Sequence, residues 1–290
     1  LEIILLLCGG MSLFDSVTHA FSTAGTGGFN SYNNSVAHFN SAYIDGVITV
    51  FMILFGINFN MYFLLLMKDV KNVLKNEELR AYLGIIAVAV VMIVVNITPM
   101  YHSVGKAFRY ASFQVAAIIT TTGFVTVDFN LWPELSKMVL LILMIIGACA
   151  GSTGGGIKVS RFLILIKSIG RELKSMLHPK GVSIVKVNGK RVKEETMRGV
   201  YVYISAYIII LALSVLLVSA NNYNFETSFT AVLTTLNNVG PGLGLVGPVE
   251  NFAKFNSFSK LVLCFDMLIG RLEIFPFLML FTPTLWNKKF

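Results

Sequence analysis

Three stretches carry residue types able to hold a dehydrated cation. They are Ser22-Thr23-Ala24-Gly25-Thr26-Gly27-Gly28-Phe29, Thr120-Thr121-Thr122-Gly123-Phe124, and Thr234-Thr235-Leu236-Asn237-Asn238-Val239-Gly240-Pro241-Gly242. Each lies between apolar runs and sets hydroxyl or amide side chains before a glycine. Irregular backbone survives at membrane depth only where protein or a water-filled path satisfies its polar groups. Backbone carbonyls and threonine hydroxyls can replace the hydration shell of a monovalent ion. Glycine supplies the backbone angles that alternating carbonyl directions demand. One Thr-Gly pair would be an ordinary turn between helices; its recurrence at matched positions favours an ion filter. The candidate filter residues are Thr26, Gly27, Gly28, Thr120, Thr121, Thr122, Gly123, Asn237, Asn238, Val239 and Gly240, with a monovalent cation the expected ion among them.

A second kind of chemistry lies in Gly147-Ala148-Cys149-Ala150-Gly151-Ser152-Thr153-Gly154-Gly155-Gly156-Ile157-Lys158, which interrupts an apolar run. Each of its glycines costs about 1 kcal/mol relative to alanine in a helix, so the span breaks there. A phosphate loop needs Gly-Lys-Ser/Thr, whereas Ile157 separates Gly156 from Lys158. A loop at this depth belongs beside a cavity. Gly147, Gly151, Ser152, Thr153, Gly154, Gly155 and Gly156 are therefore candidate gate residues, with close helix packing as the other reading. Arg271 lies inside the last apolar run, where a charge is costly and calls for a partner. Glu273, two residues on, points to another side of a helix; the carbonyls freed by the glycine break suit Arg271 better, and snorkelling is the alternative. Asp128 and Glu250, just beyond strips, either concentrate cations or are solvated loop acids.

The elements that must position these residues are membrane spans. The 290 residues are 55% hydrophobic and 13% charged, against about 25% charged in soluble domains. The net charge of +8 has a topological location rather than a nucleic-acid footprint. Lys158 to Arg198 holds 11 Lys/Arg against 3 acids, Lys68 to Arg80 holds four basic residues, and Lys288-Lys289 closes the chain. The positive-inside rule makes all three regions, and the C-terminus, cytoplasmic. Cys8, Cys149 and Cys264 lie in apolar segments without ligand spacing and read as small buried helix residues. His19, His38, His102 and His178 are scattered, and no nucleophile–base set appears, so enzyme chemistry and bound cofactors have no support. Leu1-Glu2-Ile3 lacks an initiator Met and a charged n-region, and reads as the remainder of a span rather than a signal peptide.

The expected fold is an all-α polytopic membrane protein of repeated span, re-entrant pore helix and span units around a pore, about three of an expected four. Residues 1–67 form the first visible unit, with Ser12 to Thr23 as its pore helix and Ala42 to Met67 as its second span. Within that span Asn58 and Asn60 face a pore or bond between helices. A cytoplasmic loop covers 68–80, and 81–175 hold a unit with a broken second span. Residues 176–198 carry a small cytoplasmic β-hairpin, signalled by Asn188-Gly189 within Ser183 to Val192. Residues 199–290 complete the set, with Leu261 to Leu285 as one span.

In combination the three strips, Gly151 to Lys158, Gly270-Arg271-Leu272-Glu273 and Phe281-Thr282-Pro283-Thr284-Leu285-Trp286 resemble the membrane subunit of bacterial Trk/Ktr-type potassium uptake systems, especially the TrkH/TrkG branch. The resemblance covers nearly the whole chain. It implies four unequal repeats around one pore, a homodimer in the bacterial inner membrane, and potassium as substrate. It further implies filter glycines at Gly27, Gly123 and Gly240, a gating loop at Gly147 to Gly156, and Arg271 set against that loop. A cytoplasmic nucleotide-binding ring of the TrkA or KtrA type would dock on the basic loops. The first repeat of the family is not found, which keeps a non-conducting remnant in view. A secondary transporter of an organic substrate remains the rival from another class, although it predicts inverted repeats.

Overall fold

Short polar side chains start most of the helices by accepting a backbone N–H that the first turn leaves unpaired. In a computed structural model, residues 1–179, 181 and 183–282 are described. The chain opens with α1 (Glu2–Cys8) and α2 (Leu13–Ala24). Ser12 caps α2, its Oγ accepting from Asp15 N at 3.1 Å and donating to Asp15 Oδ2 at 2.7 Å, as the capping-box spacing predicts.

Next come α3 (Ala42–Phe55) and α4 (Phe59–Leu66). The two are bent by 90°, so the span expected over Ala42 to Met67 is not continuous. The bend has a tertiary cause. Gly56 O accepts from Cys149 N and Phe59 N donates to Gly151 O, each at 3.1 Å, so the break is paired with the glycine-rich segment instead of its own helix. The Oδ1 of Asn58 accepts from Asn60 N at 2.9 Å and caps α4.

A short α5 (Val70–Lys75) leads into α6 (Glu77–Tyr101), then α7 (Val104–Ile119), α8 (Glu134–Ile146) and α9 (Val159–Leu177). Strands β1 (Lys186–Val187) and β2 (Lys190–Arg191) form an antiparallel hairpin in which Lys186 faces Arg191. Its turn sets both Asn188 (φ 52°) and Gly189 (φ 73°) in the left-handed region, the conformation that Asn-Gly favours. The chain continues through α10 (Glu194–Ser219), α11 (Phe225–Leu236), α12 (Ser257–Leu272) and α13 (Ile274–Met279). The span expected over Leu261 to Leu285 breaks at Glu273, whose φ is 63°. Pro283 to Trp286 and Lys288-Lys289 lie outside the described residues.

Helices α6 and α10, of 25 and 26 residues, exceed the roughly 20 needed to cross a bilayer. Each turns large apolar side chains outward, among them Val88, Val91 and Val95 on α6 and Ile208, Ile209 and Leu213 on α10. The re-entrant helix α7 lies innermost. Phe113 to Ile119 are fully buried against α3, α6 and α8; Val115, Ile118 and Ile119 share a core with Tyr82, Ile93, Leu140 and Met144, and Phe113, Ala116 and Ala117 one with Ile44, Ile48 and Met52. Helix α11 is buried likewise between α10 and α12. The fold is thus an all-α polytopic membrane architecture with re-entrant helices and one small hairpin. Of the cysteines only Cys149 is buried; Cys8 and Cys264 are exposed, contrary to the expectation from their apolar surroundings.

Candidate ion path and the glycine-rich excursion

The three re-entrant helices α2, α7 and α11 end in one hydrogen-bond pattern. N–H groups of Gly25, Thr120 and Asn237 donate to the carbonyls of Phe21, Ala116 and Leu233 at 2.9, 3.1 and 3.1 Å. Thr26, Thr121 and Asn238 then take left-handed φ values of 50°, 57° and 55°. Next, the N–H groups of Gly27, Thr122 and Val239 return to Ser22, Ala117 and Thr234 at 2.8, 2.9 and 2.9 Å. The following residue has positive φ in every strip: Gly28 (69°), Gly123 (77°) and Gly240 (110°). Gly28, rather than Gly27, is therefore the counterpart of Gly123 and Gly240. Gly27 occupies the position that Thr122 and Val239 fill with side chains. Matching on the Thr-Gly pair misplaces the register by one residue, because Thr26 corresponds to Thr121 and not to Thr122.

Neighbouring strips meet backbone to backbone. A Cβ on Gly28 would collide with the carbonyl oxygen of Thr122, and one on Gly123 with that of Val239. The carbonyls of Thr26, Gly27, Thr121, Thr122, Gly123, Asn238 and Val239 accept no hydrogen bond from the described residues. The C-terminal ends of all three re-entrant helices, which carry partial negative charge, stop at these strips. A cavity of about 800 Å³ opens between the first and third strips, lined by Thr26, Gly27, Asn238, Val239 and Gly240. The threonine hydroxyls have other work. Thr120 Oγ1 donates to Ala116 O at 2.6 Å and shares a 2.8 Å bond with Thr122 Oγ1. Thr121 Oγ1 accepts from Gly155 N at 2.6 Å. Carbonyls, then, form the free oxygen set, and hydroxyls brace it. Asn237 is braced too, through Tyr207, whose hydroxyl lies 2.9 Å from its Nδ2.

The glycine-rich segment leaves the line of α8 and α9 and returns to it. Ile157 N and Lys158 N donate to Ile145 O and Ile146 O at 3.1 and 2.9 Å, closing a neck between the two helices. Gly147, with φ 71° and ψ −165°, sits in a region open essentially to glycine alone. The apex of the excursion reaches all three strips. Thr26 Oγ1 donates to Thr153 O at 2.9 Å. Gly154 and Gly155 lie against Thr120, Thr121 and Asn237, and a Cβ on Gly155 would collide with Asn237 O. Arg271 Nη1 donates to Thr153 O at 3.2 Å, and the Lys158 ammonium bonds Gly154 O. Glu273 turns away from Arg271 and pairs with Arg161 at 2.7 Å, while the Arg161 guanidinium stacks 3.9 Å over Tyr203. Below the apex, Ser152, Thr153, Gly154, Lys158, Arg271 and Glu273 line a polar cavity of about 270 Å³.

Of the outer acids, Asp128 Oδ1 caps the turn at Asn130 N (3.0 Å) and Glu250 pairs with Lys254 (2.6 Å). Sequence reasoning missed Glu78, Tyr207 and Arg161. Glu77-Glu78 looks like ordinary first-turn acid pairing with a helix dipole; the usable signal was a carboxylate entering a long apolar run.

Fold and site together define a polytopic membrane protein with re-entrant helices whose strips adjoin and carry carbonyls with no hydrogen-bond donor among the described residues. Residues 7–288 match the family model TrkH, described as cation transport protein, and the chain belongs to that family. It is similar to the Trk system potassium uptake protein TrkH of Salmonella typhimurium, 39% identical over 282 residues, covering 96% of this chain and 58% of the relative. The Trk system potassium uptake protein TrkG of Escherichia coli is 33% identical, with 96% and 58% covered. The crystal structure of the potassium transporter TrkH from Vibrio parahaemolyticus superposes with a TM-score of 0.90 at 36% identity, covering 98% of this chain and 62% of that one. The chain therefore spans somewhat under two thirds of the length of these relatives.

Proposed function

We propose that the chain forms part of a potassium-translocating pore in a bacterial membrane, with sodium also able to pass. In this reading Thr26 to Gly28, Thr120 to Gly123 and Asn237 to Gly240 are the filter. The observation carrying it is the set of unpaired backbone carbonyls on adjoining strips, at the C-terminal ends of three re-entrant helices. Such carbonyls replace a cation's water, and the helix ends favour positive charge. The printed names of the relatives supply the ion, potassium. With only one glycine common to all strips, selectivity against sodium is looser than in a filter with repeated glycines.

The excursion from Gly147 to Gly156, braced by Arg271, is the gate in this reading, because its apex bonds the strips from one side. The full-length protein works as a homodimer among membrane lipids, under a cytoplasmic nucleotide-binding ring docked on the basic segments, with its C-terminus cytoplasmic. Rubidium uptake by the full-length protein in proteoliposomes tests the core of this. Uptake is expected, suppressed by added potassium and lost on Gly123→Asp. Uptake insensitive to potassium, or unaffected by that substitution, sinks the filter.

A further inference from the structure

Helix α9 begins without a side-chain cap of its own, although the first turn of any helix leaves N–H groups unpaired. The cap comes from elsewhere in the chain. Glu78, buried at the start of α6, accepts through one oxygen, Oε1, from Ser160 N at 3.1 Å and from Ala150 N at 2.7 Å. Ser160 lies in the first turn of α9 and Ala150 inside the excursion, so a single carboxylate ties the excursion to the helix it returns to. Hydrogen bonds to a charged acceptor are among the strong ones.

The adjacent residue faces the cytoplasmic hairpin. Glu77 N donates to Asn188 Oδ1 at 2.7 Å, in the turn between β1 and β2. Lys167 Nζ bonds the Glu77 carboxylate and also donates to Lys186 O on β1 at 2.7 Å. Hydrogen bonds thus tie Lys186 and Asn188 to Glu77, and Ala150 and Ser160 to Glu78, the next residue of the same helical turn. Nothing in the filter or in the Arg271 contact uses them.

We propose that Glu78 is a positioning residue that holds the excursion against the strips and transmits displacement of the cytoplasmic hairpin to it. The proposal rests on the reading of the excursion as a gate. It is tested on the full-length protein in lipid nanodiscs by amide hydrogen exchange over residues 148–160, with rubidium flux measured in parallel. Glu78→Gln keeps the shape and removes the charge. Exchange at Ala150 and Ser160 is expected to rise about tenfold, with higher flux and unchanged potassium-over-sodium preference. Asn188→Ala, at an exposed turn, is expected to raise both readouts alone and to add nothing in the Glu78→Gln background. Wild-type exchange in Glu78→Gln overturns the anchor. Multiplying rather than saturating effects overturn the transmission, as does unchanged exchange in Asn188→Ala, which serves even if Glu78→Gln fails to fold. Excision of residues 148–155 separates the two readings. If excision raises flux while Glu78→Gln changes neither readout, the gate stands and the anchor falls. If excision leaves flux unchanged, the gate falls and the exchange data still judge the anchor.

Discussion

Alanine at Gly28 and alanine at Gly27 should behave oppositely, although the two residues are adjacent and both follow Thr26. Gly28 has φ 69°, and its Cβ would run into the carbonyl oxygen of Thr122 with the carbonyl carbon 3.1 Å away. A left-handed conformation costs an L-residue about 1–2 kcal/mol. Forcing a methyl into packed backbone adds about 1–3 kcal/mol, and here no flexible side chain can yield. The sum, about 3 kcal/mol, is a large part of a typical stability of about 5–15 kcal/mol. At Gly27 the φ is not left-handed, and the nearest atoms are ring carbons of Phe29 at 3.0 and 3.2 Å. That residue is 79% exposed in this chain, and the matching positions already carry Thr122 and Val239. The cost there should stay within about 0.5 kcal/mol. Thermal unfolding of the two full-length variants in detergent, with rubidium uptake beside it, decides the matter. The expected result is a Tm lowered by several degrees and flux reduced more than tenfold for Gly28→Ala, with near wild-type values for Gly27→Ala. Equal effects, or a worse Gly27→Ala, would refute the register on which the three strips are matched.

Arg271→Ala leaves Thr153 O without its 3.2 Å donor; flux should rise several-fold with ion preference unchanged, because Arg271 hydrogen-bonds no strip residue, and unchanged flux would reduce Arg271 to a packing role. Asp45 on α3 and Arg109 on α7 pair at 2.7 Å, with the aspartate side chain only 3% exposed. Removing one partner strands the other, so Asp45→Asn should destabilise the protein by about 3 kcal/mol, read as a lowered unfolding midpoint, while Asp45→Asn combined with Arg109→Met should recover part of the loss.

The legible part of this protein was local. Ser12 announced the start of α2 because a cap answers to N–H groups only two or three residues on. Asn188-Gly189 announced the hairpin because a two-residue turn is set by its own φ angles. The clustered glycines from Gly147 to Gly156 announced a break because each lowers helix stability whatever surrounds it. Even the partner of Arg271 was foreseeable in kind, since a guanidinium set in an apolar run needs acceptors and a broken helix has them to spare.

Other features depended on groups far apart in the chain, and only the tertiary structure decided them. The α3–α4 bend follows from Cys149 and Gly151 taking the bonds of Gly56 and Phe59, about ninety residues away. The choice of Gly28 over Gly27 follows from where Thr122 O lies. The hydroxyl of Thr121 turns to bracing because Gly155 N is within reach, which composition cannot reveal. Glu78 caps a helix that starts at Val159 because packing of α6 beside α9 brings its carboxylate there. The sequence by itself determined the capped start of α2, the break at Gly147 to Gly156 and which stretches hold spare oxygens, since those depend on energies of neighbouring residues. Which oxygens stay free, and which are consumed in holding the excursion in place, depended on distances between separate segments, which exist only once the helices have packed.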